Sequence, residues 1–108
     1  MNARDIVLAP FPYTDLRNHK IRPALVISHK DLGEDVVIMG ITTQKLGRPS
    51  REVSLSTQDL SLGELPQKCF VRCGKMVTVH KSILGRCVGQ ISVSKWQEVC
   101  EKTGRLVL

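Results

Sequence analysis

Short runs of aliphatic and β-branched residues recur along this chain, and each is cut off by proline, glycine or aspartate before it can lengthen. "DIVLA", "PALVIS", "DVVIMGITT" and "REVSLS" are strand-like in composition and punctuation. The first strand is expected over Asp5 to Ala9, stopped by "PFPYTD"; the second runs from Pro23 to Ser28, the third from Asp35 to Thr43, and a fourth begins at Arg51. "KCFVRCGKMVTVHK", Lys68 to Lys81, reads as one long strand with Gly74 as its bend or bulge. "TQDLSLGELP" is expected to be a turn or one short helical turn, and "GRCVGQIS" a weaker strand. Only the carboxy-terminal stretch has helical spacing. Trp96, Val99, Cys100, Thr103 and Val107 share a face, Ser94 and Gln97 form a capping-box pair at its start, and Gly104 offers an early end. Short strands followed by one terminal helix predict a mainly β protein, a strongly bent sheet or partly closed barrel.

At 108 residues the chain is expected to be one domain, able to bury a core without help from metal or disulfides. No apolar run approaches the ~20 residues that span a bilayer, and "MNARDIVLAP" carries both charges before any apolar segment, so neither a membrane span nor a secretory signal is expected. A cytoplasmic protein is the natural reading. The four cysteines, Cys69, Cys73, Cys87 and Cys100, match no paired zinc spacing and are read as buried thiols.

The net charge is +6, and the bases come in blocks. Arg17, Lys20, Arg22 and Lys30 lie between Asp15 and Asp31, and six more bases lie between Glu64 and Glu98, in neither case with an intervening acid. Such blocks suit a polyanionic partner, although a merely solvated basic surface would look the same. The four aromatic residues supply too few rings for a stacking platform. Phosphate-binding loops, dinucleotide fingerprints, helical metal motifs and hydrolase elbows are all missing, so no cofactor or metal is expected. The remaining polar candidates sit at strand ends. Arg22 precedes Pro23, Thr42 and Thr43 close the third strand, and Arg72 lies opposite in parity to Cys69, Val71 and Cys73, pointing outward with Phe70 and Gly74 if the cysteine face is core.

"DIVLAPFPYTDLRNHKIRPALVIS" followed by "GITTQKLGRP", and later "CFVRCGKMVTV", resembles the PemK/MazF family of toxins from bacterial toxin–antitoxin systems. The resemblance implies a small SH3-like barrel with a carboxy-terminal helix, usually a homodimer. It implies metal-independent cleavage of single-stranded RNA, commonly messenger RNA, at short motifs, and inhibition by an antitoxin whose acidic, flexible tail lies across the RNA groove. Arg22 matches the arginine that contacts the scissile phosphate, Thr42 the threonine that ends the third strand, and Arg72 the arginine of a later arginine–aspartate pair. Gly74 stands where the aspartate of that pair would be, and Asp15 is the acid nearest to a glutamate that some members carry in the first long loop. RNA would thread along Lys20, Arg22, Lys45 and Arg48, and the loops holding Asp15, His19, Thr43 and Gln44 would set its sequence preference.

The chemistry is coherent with these residue types. Attack of a ribose 2′-hydroxyl on the adjacent phosphorus needs no outside nucleophile, only charge neutralisation and two proton transfers. A guanidinium grips two phosphate oxygens and stays charged, which also makes it a poor base. With Gly74 in the carboxylate's place, Asp15, His19 and the more distant His80 are the candidate bases. Each residue also has a plain structural role open to it: Arg22 as a solvated loop end, the threonines as β-formers, Arg72 paired with Glu52 or Asp15. Two other functions remain open, a binding module without catalysis and a gyrase-directed inhibitor on the same barrel.

Overall fold

The middle strands read as unbroken apolar runs because both of their faces are covered. The computed structural model describes residues 2–11, 20–29 and 32–107. Its elements are β1 (Asp5–Phe11), β2 (Lys20–Val26), β3 (Asp35–Thr42), β4 (Glu52–Leu55), β5 (Leu60–Gly63), β6 (Cys69–His80), β7 (Cys87–Ile91) and α1 (Val93–Val107), with single 3-10 turns at Pro49–Arg51, Thr57–Asp59 and Lys81–Ile83. The strands form one antiparallel sheet in the order β4-β6-β3-β2-β1-β7-β5. Seven flat strands about 4.8 Å apart would make a slab; the nearly equal extents of 32 × 31 × 29 Å show a sheet curled into a half-barrel. Ile6, Leu25, Met39, Ile41, Val53, Val71 and Ile91 point into one cluster, sealed by Val99 and Trp96 of α1. Their neighbours Val7, Ala9, Ala24, Val26, Val36 and Ile38 point into a second, smaller cluster on the opposite face. Each fully buried aliphatic side chain contributes about 1.5–3 kcal/mol by leaving water.

Several boundaries differ from expectation. β2 begins at Lys20 rather than Pro23, so Arg22 lies within the strand and not at its mouth. Residues 20–23 pair with β1, whereas β3 joins β2 only from Ala24 onward. Pro23 therefore sits where one side of the strand has no ladder, and its missing N–H leaves no bond unmade. "TQDLSLGELP" holds the expected helical turn, closed by the Asp59 carboxylate accepting from the Ser56 N–H at 2.8 Å, and then a strand, β5, that four residues could not announce.

The helix starts earlier than expected because Ser92, not Ser94, is its cap. The Ser92 hydroxyl oxygen accepts from Lys95 N–H at 3.2 Å and its carbonyl from Trp96 N–H at 2.9 Å, as the chain leaves the sheet. Ser94 and Gln97 then fall inside the helix. Gly104 does not end it: the helix runs on to Val107, and the Glu101–Arg105 ion pair spans that position. Val99 is buried and Trp96 and Thr103 half-buried, but Cys100 and Val107 are exposed; the docked face turns instead toward Lys102, whose ammonium donates to the Glu52 carbonyl at 2.9 Å.

Gly74 marks a bulge, as its sequence context suggested. Two steps along β3, Met39 to Ile41, are matched by five along β6, Met76 to Val71. A different glycine is required by close approach: Gly63 has φ +88°, and a Cβ there would stand 2.4 Å from the Val88 carbonyl oxygen. Gly63→Ala should cost on the order of 2 kcal/mol, read as a lower urea midpoint at unchanged m-value.

Candidate functional site

The cleft begins with a register. Ala24 faces Gly40, Leu25 faces Met39 and Val26 faces Ile38 across β2 and β3. Continued two residues past the last pair, the same register sets Arg22 across from Thr42. Thr42 in turn pairs with Phe70 of β6, two residues from Arg72, and Arg72 pairs with Glu52 of β4. Alternation puts Arg22, Thr42 and Arg72 on the face of the smaller apolar cluster, beside the small residues Ala9, Ala24 and Gly40. The three converge on one cleft of about 210 Å³, lined also by Thr43 and Gln44.

Each lining group is constrained differently. Arg22 is half-buried, with its backbone paired to Ala9 and its φ neighbourhood stiffened by Pro23. The Thr42 hydroxyl oxygen accepts from the Gln44 N–H at 3.1 Å, so its own proton is available to donate into the cleft. Arg72 is half-buried on the outward parity of β6. Phe70, expected to point outward with it, is buried, with the Lys68 ammonium 5.8 Å above its ring. Glu52, opposite Arg72, is buried as well, and its carboxylate accepts from the Leu46 N–H at 3.0 Å. That bond ties the connection between β3 and β4 down beside the cleft.

Arg72 also walls a neighbouring hollow of about 360 Å³, lined by Leu46, Arg48, Arg51, Gly74 and Lys75. Arg48 belongs here rather than with Arg22 and Thr42. Lys45, on the exposed connection, lines neither hollow. Arg51 and Lys75 were not singled out by sequence reading, although the bulge at Gly74 was the signal for Lys75: strict alternation would have sent it away from Arg72. Asp15 and His19 lie outside the described residues, as does the side chain of Lys20. His80 is at the far end of β6, its Nδ1 2.8 Å from the Ser82 hydroxyl and accepting from the Ser82 N–H. Among the described residues, no carboxylate lines either hollow and no three His, Cys, Asp or Glu side chains cluster as metal ligands.

A curled antiparallel half-barrel with a docked terminal helix, carrying two arginines and a hydroxyl at the end of its smaller core, is a small scaffold with a cationic cleft. Its whole length has a family counterpart: residues 2–107 match the PemK-like, MazF-like toxin of type II toxin–antitoxin systems, and the chain belongs to that family. Solved structures share the fold. An endoribonuclease in complex with its cognate antitoxin from a Mycobacterial species superposes with a TM-score of 0.78 at 17% identity, covering 99% of this chain and 94% of that one. Mycobacterium tuberculosis toxin MazF-mt6 gives 0.77 at 24%, covering 96% of each. MazF from Deinococcus radiodurans gives 0.75 at 21%, covering 99% and 96%. No curated protein matches the chain by sequence.

The cysteines divide by exposure. Cys69 and Cys73 flank Val71 on the core face of β6 and are buried, as expected, whereas Cys87 and Cys100 are exposed, against expectation. Cys87 lies on β7 with its thiol 3.2 Å from the Gly89 carbonyl oxygen, and Cys100 sits off the docked face of α1. Burial pushes the thiols of Cys69 and Cys73 up, and for Cys73 it outweighs the nearby Lys102 ammonium. Partial desolvation raises Cys100 too. Since the thiolate is the reactive form, a raised value means slower alkylation at neutral pH and faster labelling as pH climbs. Iodoacetamide should label Cys87 first, Cys100 increasingly at alkaline pH, and Cys69 and Cys73 only in denaturant, as mapped by peptide mass spectrometry.

Proposed function

We propose that this toxin-family protein is a metal-independent endoribonuclease that cuts single-stranded RNA by attack of a ribose 2′-hydroxyl on the adjacent phosphorus. The observation that carries the reading is the convergence of Arg22, Thr42 and Arg72, three residues far apart in sequence, on one cleft. In this reading the Arg22 guanidinium grips two phosphoryl oxygens, the Thr42 hydroxyl donates to one of them, and Arg72 offsets the charge that grows as the phosphorus becomes five-coordinate. The O2′–P bond forms, the P–O5′ bond breaks, the 2′-hydroxyl proton passes to a base and the departing 5′-oxygen takes one up. The products are a 2′,3′-cyclic phosphate and a 5′-hydroxyl end. The base is to be sought first at Asp15 and His19. Thr43 and Gln44 reach the bases, with Lys20, Lys45 and Arg48 along the backbone.

The rest of the proposal follows the family. One toxin domain accounts for the chain, it acts in the cytoplasm, and a cognate antitoxin covers the cationic cleft with an acidic, flexible tail. No helix among the described residues is long and apolar enough to cross a membrane. A homodimer is supported by β6, which extends past β4: residues 76–80 pair on one side with β3 and among the described residues with nothing on the other. That edge carries Met76 and Val77, 40% and 37% exposed, an aggregation liability unless a second strand covers it. Sedimentation should give twice the chain mass, and Val77→Lys should shift it toward monomer.

One observation favours a second reading, an RNA- or antitoxin-binding module without catalysis: Gly74 in place of a carboxylate, in a site where no described lining residue is an acid. A cleavage assay separates the two. Wild-type protein in EDTA should cut single-stranded RNA and leave a 2′,3′-cyclic phosphate. Arg22→Ala should lose at least about 100-fold in rate, and Thr42→Val about tenfold, with unfolding midpoints close to wild type. Binding without any cutting supports the second reading; undiminished cutting by Arg22→Ala removes the first's central residue.

A further inference from the structure

The bulge in β6 does more than bend the strand. It brings Arg72, Gly74 and Lys75 to the rim of one hollow, where strict alternation would have split Arg72 from Lys75. From the other side the 3-10 turn Pro49–Arg51 delivers Arg48 and Arg51. Four cationic side chains thus surround about 360 Å³, a volume in the range of ligand sites.

Among the described residues, Arg48, Arg51 and Lys75 make no ion pair, in contrast to Lys81, Lys95, Lys102 and Arg105, each held by a glutamate. Like charges so gathered repel, and an anion among them relieves that repulsion. The floor is open, since a Cβ on Gly74 would meet nothing within 4 Å. One wall is apolar: Leu46, 41% exposed, is held in place by its N–H bond to Glu52. Arg72 is common to this hollow and to the cleft of Arg22 and Thr42, so the two are neighbours with one side chain between them.

We infer that this hollow is a second RNA subsite, binding a phosphodiester that neighbours the scissile one, with Arg51 and Lys75 on its oxygens and Leu46 against a base. The inference rests on the ribonucleic-acid reading of the cleft and extends it. An apolar wall beside clustered cations matches a nucleotide, which presents a flat base and a charged phosphate together; an acidic peptide offers charge without the plane.

The test is equilibrium binding of a labelled, 2′-O-methylated single-stranded RNA of mixed sequence, which cannot be cleaved, measured by fluorescence anisotropy across a salt series. Arg51→Ala with Lys75→Ala should weaken binding roughly tenfold and flatten the slope of log K against log salt by about 1.4, the loss expected for two single-strand phosphate contacts. Gly74→Asp, which the open floor accommodates, should weaken binding through charge alone. Lys81→Ala, a cation removed at the far end of β6, should change affinity by less than about twofold. Wild-type affinity and slope in the double variant overturn the inference while leaving the cleft's role intact. Retained RNA affinity with lost affinity for polyglutamate also overturns it, in favour of an acidic-peptide site. Failure of the wild-type protein to bind the RNA at low salt removes the underlying reading as well.

Discussion

Three residue pairs, Ala24 with Gly40, Leu25 with Met39 and Val26 with Ile38, hold β2 against β3, and the placement of Arg22 relative to Thr42 depends on them. A slip of one residue would turn every side chain of β2 to the other face. Such a slip would pull Leu25 out of the larger cluster and carry Arg22 away from Thr42 together, so the energy that fixes the core also fixes the cleft. Arg22 takes its register from the core. Its strand is anchored by residues that are almost completely buried a few positions further on.

The two faces of the sheet divide the labour. One is filled with large aliphatic side chains and sealed by α1. The other tapers from Val36 and Ile38 to Ala9 and Ala24, with Gly40 beside them, and the polar groups begin where side-chain volume falls away. The bulge in β6 then departs from regular pairing at the point where Arg72 and Lys75 are needed on one rim. Irregular pairing beside a polar cleft is a recurrent way to re-aim a side chain.

Much of this was legible in the residues. The strand-like runs, the terminal helix and the bulge at Gly74 follow from period and punctuation, and Arg22, Thr42 and Arg72 were singled out by the family resemblance. What was not legible depended on contacts distant in sequence. β5 is only four residues long and exists because β7 offers it an edge. The helix cap moved to Ser92 because the sheet ends at Ile91, and sequence alone cannot choose between two serines two positions apart. Phe70 shares parity with Arg72 yet is buried, since Thr42 and Ser54 flank it from both neighbouring strands. Arg51 and Lys75 gain meaning only when a 3-10 turn and a strand bulge meet across the sheet.

The central claim is that Arg22 and Thr42 act on one phosphate. A double-mutant cycle on the single-turnover cleavage rate, using Arg22→Ala, Thr42→Val and the pair, tests it most directly. Groups sharing a phosphate should be coupled by about 1 kcal/mol or more, the second substitution mattering far less once the first is made. Strict additivity of the two effects would contradict a shared phosphate.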